Sequence, residues 1–327
     1  MADTLTENIQ GVNQLVSSQL NKVPVGPMKE EGVASEKVDT LSIEVDDDEL
    51  LLLARQWEDS YQTYELGIKA RQDANKAFYL GKYREGQASN MQNVEVVSNN
   101  LIFEAEETFL PSALSKNPEP VVWADNTPEG NELAKDVKTM LQFHADTLAL
   151  RRKLTLMTRH WSIYFLGVIK HGWDEKTKDI ISDVRNPKNL ILDPTGYVDA
   201  YGCFTGYIGE RVEVPASRLI ELFPAHKDFI VIQTDGKLGT KVIYTEWWND
   251  DYTFTTFKGK VLDKAKNPHF NYNGLRNHFS IPRKPYTFLS VFSLGEQPHD
   301  ITGLIEQNIP NQRRITRRTE QIDYTLS

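Results

Sequence analysis

Cysteine is almost missing. Cys203 is the single one in 327 residues, which excludes an intrachain disulfide and a cysteine-built zinc site. Long apolar runs are missing too. The longest near the N-terminus is Leu50 to Ala54, far short of the ~20 apolar residues of a membrane helix, and no charged-then-apolar leader precedes it. These absences lead us to expect a soluble product of a reducing cytoplasm that does not enter a membrane. The phosphate-cradling patterns GxGxxG and GxxxxGK[ST] do not occur; "DGKLGTK" has the right residue types at the wrong spacing and reads as a hairpin turn. There is no GxSxG elbow and no His-Glu-x-x-His. The seven histidines are scattered, with none paired at helical ligand spacing. "DDDE" at Asp46 lacks the alternating ligands and glycine of a calcium loop. No cofactor, metal or catalytic residue is expected, and the chain does not read as an enzyme.

A basic excess is also lacking. The net charge is −9, and it belongs to the first sixty residues, where thirteen acids face four bases. The rest of the chain is balanced, unlike a free DNA-binding domain. Residues 1–44 hold no sustained apolar period and read as an acidic mobile arm, either a solvating tail or a docking peptide.

From Asp46 a helix is expected. Trp57, Tyr61, Tyr64 and Ile68 fall at helical spacing, Asp46 to Asp48 suit the N-terminus, and Gly81 is the stop. A second helix follows Asn100, with Pro111 expected to end or kink it. "EPVVWAD" reads as a short strand. Thr127, Pro128 and Glu129 open a helical stretch running through "RHWSIYFLG". Glu104, Glu106 and Glu107 share the second helix, Glu104 and Glu107 at i, i+3, and a solvated face is the preferred reading for them. His160 reads as a partly buried histidine and Cys203 as a small apolar residue.

The period then changes. "GVIKHGWDEKTKDIISDVRN" reads as two strands around a turn, "NLILDPTG" and "CFTGYIGERVEV" as strands, and "PASRLIELFP" as a short helix between prolines. "KVIYTEWWND" with "DYTFTTFKG" forms a hairpin, and "KPYTFLSVFSL" is a last strand. Helices followed by a mostly antiparallel sheet, and then one terminal helix, define an α+β layout. In the turn at Asp193, Pro194 and Gly196, the aspartate bonds the backbone ahead, the proline presets φ and the glycine is expected to take positive φ. This turn is structural.

Five segments in order are more specific. They are Gly167, Lys170, Trp173 and Asp174; Asn186, Pro187, Asn189, Asp193 and Pro194; Leu219, Phe223 and Pro224; Glu246, Trp247 and Trp248; and the approach "KPYTFLSVFSLGEQPHDITGLIEQNIPNQRRITRRTEQ". With "NNLIFEAEETFLPSALSKNPEPVV" upstream, this succession resembles the portal proteins of tailed bacteriophages over about residues 50–327. The resemblance implies a homo-oligomeric ring, typically a dodecamer, at one capsid vertex in the virion, assembled in the host cytoplasm. Through it DNA is packaged and ejected. Implied partners are major capsid and scaffold proteins, terminase, the head–tail adaptor and double-stranded DNA passing without sequence specificity. Terminase supplies the ATP hydrolysis. Residues 45–299 would be the portal wing and residues 300–327 the beginning of a stem helix. The clip, second stem helix and crown of the family have no counterpart in this sequence, so the terminase and adaptor contacts are assigned to no residue of this chain. Another phage head structural protein, or a metal-dependent nucleic-acid enzyme built from scattered carboxylates, are the competing readings.

The terminal helix is expected to be capped by Asp300 and kinked at Pro310. Advancing about 100° per residue, Arg313, Arg314, Arg317 and Arg318 occupy one side, and Ile315, Thr319, Ile322 and Leu326 another. Either the arginines are a solvated face, or they contact capsid, a neighbouring subunit or passing DNA. A protein partner is favoured, because DNA must slide freely.

Overall fold

The computed structural model describes residues 45–82, 99–114, 119–124, 127–174, 178–269, 281–292 and 301–326. The chain divides at Thr40, and the described residues belong to the second unit, Leu41–Ser327, which is compact. The expected arm, and the expected cap at Asp300, lie outside the described residues. The second unit is α+β: seven helices and eight strands among the described residues, with every strand pairing antiparallel.

Helix α1 (Asp47–Tyr79) begins where the Asp46 carboxylate accepts from Asp47 N–H, followed by three acids that complement the positive helix end. It stops at Gly81, whose φ of 71° is the left-handed value a C-terminal glycine supplies. Its inward stripe is Leu50, Ala54, Tyr61, Ile68, Gln72, Asn75 and Phe78. Tyr64, expected on that stripe, is exposed. Glu65 is the half-buried residue of that turn, and it pairs with Arg211 and Lys69.

Helix α2 (Leu101–Ala113) is capped by Asn100, whose side chain accepts from Phe103 N–H. It runs two residues past Pro111 before ending. "EPVVWAD" is not a strand: residues 119–124 carry no strand pairing, and Trp123 is 89% exposed. The long helical stretch is two helices, α3 (Pro128–Thr147) and α4 (Leu150–Tyr164). They are broken at Ala149, which takes left-handed φ of 49°. Thr127 caps α3 by accepting from Gly130 N–H at 3.1 Å.

Strands β1 (Gly167–Asp174) and β2 (Asp179–Arg185) pair with β8 (Tyr286–Leu289) in the order β2-β1-β8. The second sheet is β3-β4-β5-β6-β7. It contains β3 (Leu190–Leu192), β4 (Ile208–Pro215), β5 (Lys241–Trp248), β6 (Tyr252–Phe257) and β7 (Lys260–Lys266). Two short helices, α5 (Ala216–Leu222) and α6 (Lys227–Gln233), join β4 to β5 and cover one end of that sheet through Leu219, Ile230, Val242 and Phe257. "DGKLGTK" therefore links a helix to a strand, not two strands. Helix α7 (Leu304–Leu326) passes through Pro310 as one helix.

Four packed clusters hold these elements. The inward face of α1 meets the second sheet at Ile191, Trp247, Phe254 and Val261, with Trp57 stacked on Tyr207 at 4.6 Å. Val168, Ile208, Trp248, Tyr286 and Phe288 join the two sheets. Phe78, Ile102, Ile163, Ile305 and Ile309 join α1, α2, α4 and α7. At roughly 1.5–3 kcal/mol for each fully buried large apolar side chain, these clusters are the main favourable term.

Candidate functional site

Three places stand out: the Asp193 turn, a charged network between the sheets, and the arginine face of α7. In the turn, Asp193 Oδ1 accepts from Thr195 N–H at 2.8 Å and from the Thr195 hydroxyl at 2.7 Å. Gly196 N–H donates to the Asp193 carbonyl at 3.1 Å. The reason for Gly196 differs from the expectation. It is not among the glycines with positive φ. A Cβ there would lie 2.5 Å from Phe204 Cζ and 3.0 Å from Gly206 N, so close packing of the returning chain demands glycine. Gly206 is held to the same standard by Asp193, whose Cβ would sit 2.3 Å from an added Cβ. Asp193, Pro194 and Gly196 therefore form a packed corner that stacks one loop on another.

The network joins residues far apart in sequence. Lys170 on β1 donates to Glu246 Oε2 at 2.7 Å and Glu210 Oε2 at 3.1 Å. The Tyr286 hydroxyl donates to Glu210 Oε2 at 2.8 Å, and Trp248 Nε1–H to Glu246 Oε1 at 2.7 Å. Arg185 Nε lies 3.2 Å from Glu210 Oε1, an ion pair without hydrogen-bond alignment. The ammonium of Lys170 also sits 5.2 Å from the centre of the Tyr286 ring. Burial, then the charges of Glu246 and Glu210, push the Tyr286 hydroxyl well above its usual range. The same causes push Tyr244 up to about 12. Three of the four carboxylate oxygens accept hydrogen bonds and the fourth, Glu210 Oε1, lies against Arg185, so the network can brace one sheet against the other. Lys170 and Glu246 both belong to the motif segments quoted above; their meeting depends on strand register, which no spacing in the sequence announces.

On α7, the inward face is partly polar. Gln312, 2% exposed, accepts from Leu101 N–H at 3.0 Å and donates to Asn99 O at 2.8 Å, tying α7 to the start of α2. Arg71 of α1 grips Glu306 with two hydrogen bonds of 2.8 Å, and its guanidinium holds that carboxyl below the usual range. The opposite face carries Arg313, Arg314, Arg317 and Arg318, all exposed. Arg313 lies over the Phe78 ring at 5.2 Å; the other three have no partner among the described residues. The expected apolar side is displaced. The buried positions are Ile305, Ile309, Gln312 and Thr316, while Ile315 is half-buried and Ile322 is 58% exposed.

The remaining candidates separate. Glu107 accepts from Arg159 and Tyr79 while Glu104 faces solvent, so they form no carboxylate dyad. Glu106, expected on a solvated face with them, is instead 1% exposed, because it points inward against Ser162 of α4. Its Oε2 accepts from the buried Ser162 hydroxyl at 2.6 Å, its Oε1 has no hydrogen-bond partner among the described residues, and burial raises its pKa. His160 Nδ1 lies 3.3 Å from Arg185 O, and burial lowers its pKa. Cys203 Sγ accepts from Arg283 at 3.0 Å. A concavity of about 920 Å³ at the α3–α4 elbow is lined by Arg151, Arg152, Lys153 and Arg159. Lys153 is committed to Ser182 and Asp183, and Arg159 to Glu107. Among the described residues, no group of three or more His, Cys, Asp or Glu could hold a metal ion, and no helix is long and apolar enough to cross a membrane. No family model matches the chain, and no curated protein matches it.

Proposed function

We propose that this chain is a structural subunit of a portal ring, the assembly at one capsid vertex through which a tailed bacteriophage packages and ejects its DNA. The observation that carries the reading is the ordered set of motif segments, of which Lys170, Glu246 and Trp248 meet in one charged network between two sheets. Such a brace gives a wing that resists deformation, as a ring under packaging load needs. The outward arginines of α7 support the same reading, because a basic belt repeated around an axis suits carboxylates on neighbouring subunits or capsid protein. In this function the protein catalyses nothing. Major capsid and scaffold proteins are its assembly partners, DNA passes it without sequence-specific contacts, and terminase and then a head–tail adaptor dock on the ring. Electron microscopy of the purified chain tests the proposal. Annular particles with an open centre and about twelve-fold averages, as the resemblance implies, are expected; uniformly dispersed single subunits would count against it.

A further inference from the structure

Helix α3 is twenty residues long and has no buried residue. Nevertheless it is amphipathic. Advancing about 100° per residue, Leu133, Val137, Met140 and Leu141 form one apolar stripe. Leu133 is 64% exposed, Met140 51% and Leu141 42%. Glu132 and Asp136 run along one flank of the stripe, about 100° and 60° to the same side of Leu133, with no ion-pair partner among the described residues. An apolar stripe of this length is not left facing water without reason.

The exposed side of α7 carries the same pattern with the opposite charge. Arg314, Ile315, Arg318 and Ile322 repeat the spacing of Glu132, Leu133, Asp136 and Met140, residue for residue. Ile315 and Ile322 stand two turns apart, as Leu133 and Met140 do. Arg314 and Arg318 flank Ile315 on the same side that Glu132 and Asp136 flank Leu133. When two such helices lie face to face and antiparallel, like flank meets like flank. The acid row then faces the arginine row, and the two apolar stripes close between them, as in a coiled-coil seam.

We propose that α3 of one subunit docks antiparallel on α7 of a second copy of this chain. The inference rests on the ring reading above and names the two faces that make the contact. The contact is heterologous: each copy offers α3 to one neighbour and α7 to the other, and repetition of such a contact closes into a ring when the rotation allows. It also assigns the arginine face to a protein partner, leaving Arg314 and Arg318 paired across the interface and away from DNA.

Two charge-reversed proteins test it. One carries Glu132→Arg and Asp136→Arg; the other carries Arg314→Glu and Arg318→Glu. All four positions are on the surface, and unchanged far-ultraviolet circular dichroism and melting temperature establish that each variant is folded. Native mass spectrometry and sedimentation then read assembly. Each variant alone should need at least about tenfold more protein than the unaltered chain to form the ring, because every contact sets like charges together. An equimolar mixture of the two should assemble again, since each variant's changed face complements the other's. Rings from either variant at unaltered concentration, or a mixture that stays dispersed, would overturn this contact while leaving the portal reading in place. An unaltered chain that forms no ring would overturn both.

Discussion

Helices α1 and α3 carry the same signal and meet opposite ends. Both place apolar residues at helical spacing, and both begin at a side-chain cap, Asp46 in one and Thr127 in the other. The stripe of α1 is buried, under the second sheet at its start and against α4 near its end, where Asn75, 1% exposed, donates to Ile163 O at 3.0 Å. Among the described residues the stripe of α3 gains no cover that buries any of its members. Amphipathicity thus tells which face of a helix is meant to be covered, and leaves open whether the cover comes from the same chain. Helix α7 stands between the two cases: Ile305, Ile309, Gln312 and Thr316 are buried, while Arg314, Arg318 and Ile322 are exposed.

The comparison can be broken most forcefully by placing the same charge in both stripes. Ile68→Asp should cost about 4 kcal/mol or more, since the carboxylate enters a closed core. Leu133→Asp should change subunit stability by no more than about 0.5 kcal/mol. Denaturant unfolding of both variants, corrected to the isolated subunit, is the check; equal losses would mean that α3 is covered after all. Lys170→Met sharpens the picture of the interior. It strands Glu210 and Glu246 beside each other and should lose about 3 kcal/mol, whereas an exposed arginine of α7 changed to methionine should lose almost nothing. Gly196→Ala should cost about 2 kcal/mol through the collision with Phe204. If the cost arose from backbone freedom instead, serine and alanine at this position would behave alike whether or not Phe204 were shortened to leucine. Gln312→Ala should cost about 1 kcal/mol by removing the side-chain bonds to Leu101 N–H and Asn99 O, with faster amide exchange confined to the first turn of α2.

The smallest effect concerns Glu106. Its folded pKa is raised by burial, so the unfolded chain releases this proton more readily. Stability from this group is intact below the ordinary carboxylate range and falls as pH rises toward the elevated folded value. Glu106→Gln should remove that decline and leave the variant slightly more stable than the unaltered chain near neutral pH. A pH–stability curve parallel to that of the unaltered protein would show that Glu106 is not the source.

Local chemistry was legible in the sequence and distant pairing was not. The caps at Asp46 and Thr127, the stop at Gly81 and the α+β order follow from residues within one turn of each other. Strand β7 escaped because it is an edge strand whose lysines mask its short apolar core, Val261 and Leu262. Helix α6, "KDFIVIQ", hides its helical period in a run of apolar residues. "EPVVWAD" has strand composition without a strand to pair with, and composition alone makes no ladder. The break at Ala149 has no glycine or proline to mark it. Of the site, the arginine face could be placed from helical angles alone, whereas the Lys170–Glu210–Glu246 network joins β1, β4 and β5 through register. The exposure of the α3 stripe was equally hidden, since a sequence gives a helix its faces and not its neighbours.

The central claim is that the uncovered stripes of α3 and α7 exist to be covered by copies of the same chain. Native mass spectrometry of the unaltered protein tests it most directly. The account predicts one dominant closed assembly at an integer multiple of the 37.4 kDa subunit, dispersing when Glu132 and Asp136 are reversed. A single 37.4 kDa species at every concentration measured would contradict it.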